Sequence, residues 1–181
     1  MTAAEMPTFR YHPDPVATGA IGEHRITCRC CGRPSRWAYL VPAYGVEDLR
    51  DSLCPWCIAD GSAAARFRAV FTQISTSSTD GIDRAVLDQI ACRTPGFSGW
   101  QQERWLFHCG DGCAFLGAVG WDEVKSYPDA VETLRVEVAG WGFPSELVDD
   151  VLFDLDVDGE PTAYLFACLR CGRHLAYADI G

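Results

Sequence analysis

Two Cys-x-x-Cys pairs, Cys28–Cys31 and Cys54–Cys57, stand 22 residues apart in a chain of 181 residues that holds ten cysteines. Four thiolates in two such pairs match the spacing of a structural zinc site. A two-residue spacer in a turn aims both sulfurs of a pair at one ion, and tetrahedral Zn2+ accepts four thiolates at about 2.3 Å. Gly32, just past the first pair, permits the positive φ such a turn requires. The second pair, Cys54-Pro55-Trp56-Cys57, falls where a helix pattern begins, so its sulfurs feel that helix's positive end. Dithiol redox chemistry is the competing use of this placement, and the partner pair upstream argues against it. Cys30 is an ambiguous ligand that could stand in for Cys31.

A second set comprises Cys109 and Cys113, then Cys168 and Cys171 after 54 intervening residues. Three residues separate Cys109 from Cys113, within the usual two to four, and Cys168-Leu169-Arg170-Cys171-Gly172 lies between strand-like runs as a ribbon knuckle does. His108 or His174 could replace a thiolate, and Cys92 is left over as a small buried residue. Both sites would be closed four-cysteine shells. Two zinc ions held this way have no open position for water and serve as structural cofactors. Each tetrathiolate centre carries a formal charge of about -2, which Arg29, Arg33, Arg170 and Arg173 are placed to offset.

The elements needed to position these residues are read from periodicity. Residues 1 to 25, with Pro7, Pro13 and Pro15, suggest an extended arm. A strand is expected through Trp37, Tyr39 and Val41, and a helix after Cys57 carrying Ala63, Phe67, Val70, Phe71 and Ile74. Residues 75 to 81 read as a polar linker and 83 to 92 as a helix. AFLGAVGWDEVKSY and DAVETLRVEVAGWG look helical, VLFDLDV and TAYLFAC look like strands joined by a hairpin turn at Asp158–Pro161, and HLAYADI reads as a further strand. The expected fold is α+β. A treble-clef-like N-terminal zinc module and a ribbon-like C-terminal one are joined by helices and a small antiparallel sheet. The first would occupy residues 1–79 and the second 80–181, as one compact unit.

The net charge of -10 is uneven: residues 80–181 carry seven Lys plus Arg against eighteen acids. Such a surface repels phosphate backbones and anionic lipid and favours a basic protein partner. Seven acids and no cation fall between Glu146 and Glu160, namely Glu146, Asp149, Asp150, Asp154, Asp156, Asp158 and Glu160. A calcium loop at Asp154-x-Asp156-x-Asp158-Gly159 is disfavoured, because its closing acid would stand where Leu165 is. No run approaches the roughly 18 apolar residues of a membrane span, and a cytoplasmic location, which keeps thiols reduced, is expected. An enzyme would have to use Trp100 to His108, with Glu103 as acid or base beside His108; standard catalytic motifs are absent. A zinc-finger regulator would need Arg25, Arg29, Arg33, Arg36, Arg66 and Arg68 on one basic face.

FRYHPDPVATGAI at 9–21, CRCCG, LCPWCIADGSAA at 53–64, TPGFSGWQQERWLFHCGDGCAFLGAVGW at 94–121 and the terminal CLRCG together resemble the CbrC family of bacteria. The resemblance spans nearly the whole chain except residues 126–160. It implies zinc at the cysteine pairs already named and a role in tolerance or immunity to a protein toxin. A basic nuclease docking on the Glu146–Glu160 segment is the partner this reading expects.

Overall fold

The computed structural model describes residues 5–74 and 79–180, and the chain divides into two compact units. Met1–Ser98 with Glu103–Trp105 form one; Gly99–Gln102 with Leu106–Gly181 form the other. The polar linker expected over 75–81 lies partly outside the described residues. The helix that follows it packs with the first unit.

In the first unit β1 (Ile21–Thr27) and β2 (Pro34–Tyr39) form an antiparallel hairpin with an irregularity between Glu23 and Ile26. Two short helices follow, α1 (Pro55–Ala59) and α2 (Ser62–Phe67), then α3 (Arg84–Arg93). Cys54 is the N-cap of α1 and Pro55 its first residue, a position where the missing N–H costs nothing. Asp83 caps α3, its carboxylate accepting from the Ala85 N–H at 2.8 Å. The core gathers Phe9, Ile21, Tyr39, Leu49, Leu53, Ile58, Ala63 and Phe71 around the buried cysteines Cys28, Cys54 and Cys57. Tyr39 and Phe71 meet edge to face at 5.3 Å.

The helix expected from Ala63 to Ile74 stops at Arg68, whose φ is +50°. Val70 instead bridges Tyr44, and the Phe71 N–H donates to the Ala91 carbonyl at 2.8 Å. The apolar spacing there was that of a buried irregular segment, and tertiary contacts overrode local propensity. β1 has no counterpart in the sequence reading, since Glu23, His24 and Arg25 hide any alternation.

In the second unit a four-stranded antiparallel sheet runs in the order β3 (Phe107–His108), β4 (Asp111–Val119), β5 (Thr162–Cys168), β6 (His174–Asp179). Between β4 and β5 come α4 (Trp121–Val124), α5 (Pro128–Ala139), a 3-10 turn (Ser145–Leu147) and α6 (Val148–Phe153). Leu134, Val138 and Leu152 of the helices bury against Ala163, Leu165, Ala176 and Ala178 of the sheet. Thr133 ties α5 to β6 by bonds to the Ala176 N–H and carbonyl at 2.9 and 3.1 Å.

Two expectations fail in this unit. AFLGAV is strand, not helix: β4 is buried along most of its length, and a continuous apolar run does not distinguish the two. VLFDLDV begins inside α6, not in a strand, because Val148 and Leu152 bury at helical spacing. The hairpin turn expected at Asp158–Pro161 therefore leads from a helix into β5. TAYLFAC, HLAYADI and the helix at 128–139 are found where expected.

Of the arm expected over residues 1–25, residues 21–25 belong to β1, and the stretch 5–20 buries Phe9, Tyr11 and His12. The His12 ring lies wholly inside the first unit, with Nδ1 donating to the Pro95 carbonyl at 2.8 Å and Nε2 facing the Thr18 hydroxyl at 2.7 Å. Burial lowers its pKa, against smaller opposing pulls from the Pro95 carbonyl and Asp14. A folded-state pKa below the unfolded value of about 6.5 means that neutral His12 stabilises the fold above that pH. The contribution is lost as pH falls through the folded value. The thermal midpoint of the parent is expected to drop more steeply as pH falls below about 6.5 than that of His12→Gln; parallel curves would contradict the assignment.

Candidate metal centres

Both knuckles are the same piece of backbone. At the first, the Cys28 N–H donates to the Arg33 carbonyl at 2.9 Å and the Gly32 N–H to the Cys28 carbonyl at 2.7 Å. At the second, Cys168 to Arg173 and Gly172 to Cys168 make the same bonds at 2.8 and 3.0 Å. Gly32 and Gly172 take φ of +70° and +74°, a conformation that disfavours any side chain. Each knuckle connects the strands of a hairpin, β1–β2 in one unit and β5–β6 in the other.

The first centre assembles the four expected cysteines. Cys28, Cys31, Cys54 and Cys57 bring their sulfurs within 4.8 Å of one another. Cys28 and Cys57 Sγ lie 3.9 Å apart, close to the edge of about 3.8 Å that a tetrahedron with 2.3 Å zinc–sulfur bonds requires. The Cys54 N–H donates to Cys28 Sγ at 3.3 Å. Burial opposes ionisation of Cys28, but N–H groups of Cys31, Cys54 and Cys30 outweigh it and bring the thiol down to about 7. Burial pushes Cys54 up to about 11 and Cys57 upward as well, so without a cation this site resists holding four negative charges. A divalent ion reverses that balance, because a coordinating thiol loses its proton outright. Cys30 does not belong to the group; its sulfur meets the Ser62 hydroxyl at 3.4 Å.

The second centre assembles three of the four expected cysteines and one histidine. His108, Cys109, Cys168 and Cys171 offer donor atoms within 4.8 Å of one another. His108 Nδ1 lies 3.2 Å from Cys109 Sγ and 3.4 Å from Cys171 Sγ, near the roughly 3.6 Å edge set by a 2.0 to 2.1 Å zinc–nitrogen and a 2.3 Å zinc–sulfur bond. Cys113 lies outside this group and is fully buried in β4, directly across from Cys168 on β5.

The reason is the turn. Cys109 and Gly110 both take positive φ, +53° and +70°, and join β3 to β4 as a two-residue hairpin loop. His108 and Cys109 therefore stand at its tip. Cys113 is two residues past Asp111 along an extended strand, about 7 Å further on. Burial raises the Cys113 thiol to about 12, as befits a neutral packed side chain. Cys168, though burial resists it, is brought down to about 6 by the N–H groups of Cys171 and Arg170. Cys109 rises to about 11 through its sulfur neighbour Cys171. His174, the other candidate histidine, instead packs its ring on Tyr127 at 4.4 Å, its backbone N–H donating to the Asp129 carboxylate at 2.7 Å and its ring Nδ1 lying 3.9 Å from that carboxylate.

Three of the four arginines expected to neutralise the centres are engaged elsewhere. Arg29 pairs with Glu47, Arg173 with Glu132 at 2.8 Å, and Arg170 faces the buried Asp111 carboxylate at 3.6 Å. Knuckle N–H groups do that work instead. With three thiolates and one neutral imidazole, the second centre would carry -1 where the first carries -2.

The residues of the catalytic alternative are satisfied individually. Glu103 is buried and accepts from the Tyr44 hydroxyl at 2.6 Å, its carboxyl raised by that burial. Trp100 donates its ring N–H to the Thr162 hydroxyl at 3.2 Å. His108 is turned to the sulfurs.

A mixed helix and sheet protein with two cysteine-rich four-residue groups able to hold metal is the class this geometry defines. The sequence pattern of the uncharacterised protein family UPF0167 matches residues 6–180, and the chain belongs to that family. It is 49% identical over 178 residues to a UPF0167 protein of Mycobacterium bovis, covering 98% of this chain and 95% of that one. A UPF0167 protein of Pseudomonas aeruginosa is 40% identical over 169 residues, 93% of each chain. No solved structure matches it. Among the described residues, no helix is long and apolar enough to cross a membrane.

Proposed function

We propose that this is a cytoplasmic binding protein whose two zinc ions are structural and whose acidic second unit receives a basic protein. The observation that carries the metal half is the closure of each donor set: four protein ligands converge on one point, leaving no position for a reacting water. Helix α1 starting at the second cysteine pair supports a treble-clef-like first module, and the β5–β6 knuckle supports a ribbon-like second one. The partner half rests on charge. Of the seven acids between Glu146 and Glu160, Asp149 pairs with Arg135, while Glu146, Asp150, Asp154, Asp156, Asp158 and Glu160 are exposed. The resemblance of these motifs to the CbrC family directs this reading toward a protein toxin, such as a basic nuclease, which such a surface would engage by electrostatic complementarity.

Titration of a purified basic nuclease toxin with the protein at rising salt tests this reading. Saturable binding that weakens with salt and is lost when Asp149, Asp150, Asp154 and Asp156 all become Asn is the expected result. A quadruple variant that binds as tightly as the parent overturns the surface.

A further inference from the structure

A cavity of about 340 Å³ opens in the second unit, where the chain leaving α6 passes the start of α4. Trp121, Phe153 and Val157 form its apolar part; Asp122, Glu123, Asp154 and Asp156 supply carboxylates, Glu123 Oε2 already accepting from the Gly120 N–H at 2.9 Å. The Trp121 and Phe153 rings meet edge to face at 4.9 Å and 71°. Phe153 is 53% exposed and Val157 46%, so about half of an aromatic side chain and of a branched one face water beside four acids. Burying that apolar area would be favourable, and α6 leaves it unburied.

The chemistry of this lining selects its occupant. An apolar side chain would cover the rings but strip water from the carboxylates without replacing it. An anion would be repelled. Of the cations, an ammonium is compact and strongly hydrated, whereas a guanidinium is planar and weakly hydrated, stacks on aromatic faces and donates in a fork to carboxylates. The local bonds leave acceptors open for such a fork. Lys125 holds Asp122 from one side, Asp156 accepts from the Asp158 N–H at 2.8 Å through Oδ1, and Asp154 is exposed to water. The volume lies at the small end of the roughly 300 to 1,000 Å³ typical of ligand clefts and leaves room for one long side chain.

We infer that the cavity between Trp121, Phe153 and Asp154 is an arginine-binding pocket, the anchoring point for a basic polypeptide partner. This rests on the proposed acidic docking surface and adds a defined anchor to it. The anchor carries orientation, since only an arginine presented at one register can stack and pair at once. The surrounding acids supply attraction without register.

Calorimetric titration with a nona-arginine peptide at about 0.15 M salt tests it, with circular dichroism confirming that each variant is folded. Phe153→Ala is expected to weaken binding about threefold to fivefold, the range of an exposed cation–aromatic contact. The double change Asp154→Asn with Asp156→Asn is expected to weaken it more than Asp149→Asn with Asp150→Asn, which removes equal charge outside the cavity. Nona-lysine is expected to bind more weakly than nona-arginine. Equal losses from the two double variants with Phe153→Ala unchanged would overturn the pocket while leaving the acidic surface standing, and nona-lysine binding as tightly would overturn the choice of arginine. Failure of the parent protein to bind either peptide would overturn both the pocket and the surface.

Discussion

Cys28→Ser is expected to unfold the first unit and to halve the metal content of the protein. Cys28 is fully buried, receives the Cys54 N–H on its sulfur and sits against Cys57 Sγ at 3.9 Å, so the change strikes the middle of the donor set. Binding energy at a structural zinc site is folding energy, roughly 10 to 16 kcal/mol, against a total domain stability of about 5 to 15 kcal/mol. The core of this unit is built around the cysteines themselves, with Leu53, Ile58 and Tyr39 packed in the same cluster. Loss of the ion therefore leaves a hollow lined by thiols. Hydrogen exchange is the readout: amides in β1, β2 and α1 should lose protection while the second centre keeps its ion. A variant with two ions and unchanged protection would show that Cys28 is not a ligand of the first centre.

The second prediction separates His108 from Cys113. His108→Ala is expected to empty the second centre, and Cys113→Ser to leave it filled. His108 Nδ1 stands within 3.4 Å of two ligand sulfurs at the tip of the β3–β4 turn, whereas Cys113 is buried in β4 outside the donor group. Loss of even an outer-shell partner costs about 10- to 100-fold in metal affinity, and loss of a direct ligand should exceed that. Cobalt substitution gives the independent readout, because replacing an imidazole by a thiolate changes the sulfur-to-metal absorption. His108→Cys should shift that spectrum; Cys113→Ser should not. The reverse pattern would place Cys113 on the metal and His108 outside it.

These two centres also show how far a sequence can be read. The first was legible because each of its pairs is local: two residues between sulfurs fix a turn whatever surrounds it, and both turns were found. The knuckle at Cys168–Cys171 was legible for the same reason. Cys109 and Cys113 satisfied the spacing rule equally well on paper, yet a spacing of four has two geometries, one across a loop and one along a strand. The dipeptide Cys109-Gly110, preceded by His108 and followed by Asp111, is a two-residue hairpin signal that could have decided between them. Segments whose form is set by distant partners were misread, as with β4, paired along its length to β5, and α6, whose acidic residues fall between Val148 and Leu152. The arginines were misassigned because sequence places a cation near a knuckle without showing the carboxylate beside it, as Glu47 and Glu132 are.

Native mass spectrometry of the purified chain, followed by the same measurement after denaturation, bears most directly on the metal assignment. The expected mass is that of the chain plus two zinc ions under native conditions, falling to the fully reduced chain when unfolded in acid. A native mass without metal, or a denatured mass short by the hydrogens of disulfide bonds, would contradict it.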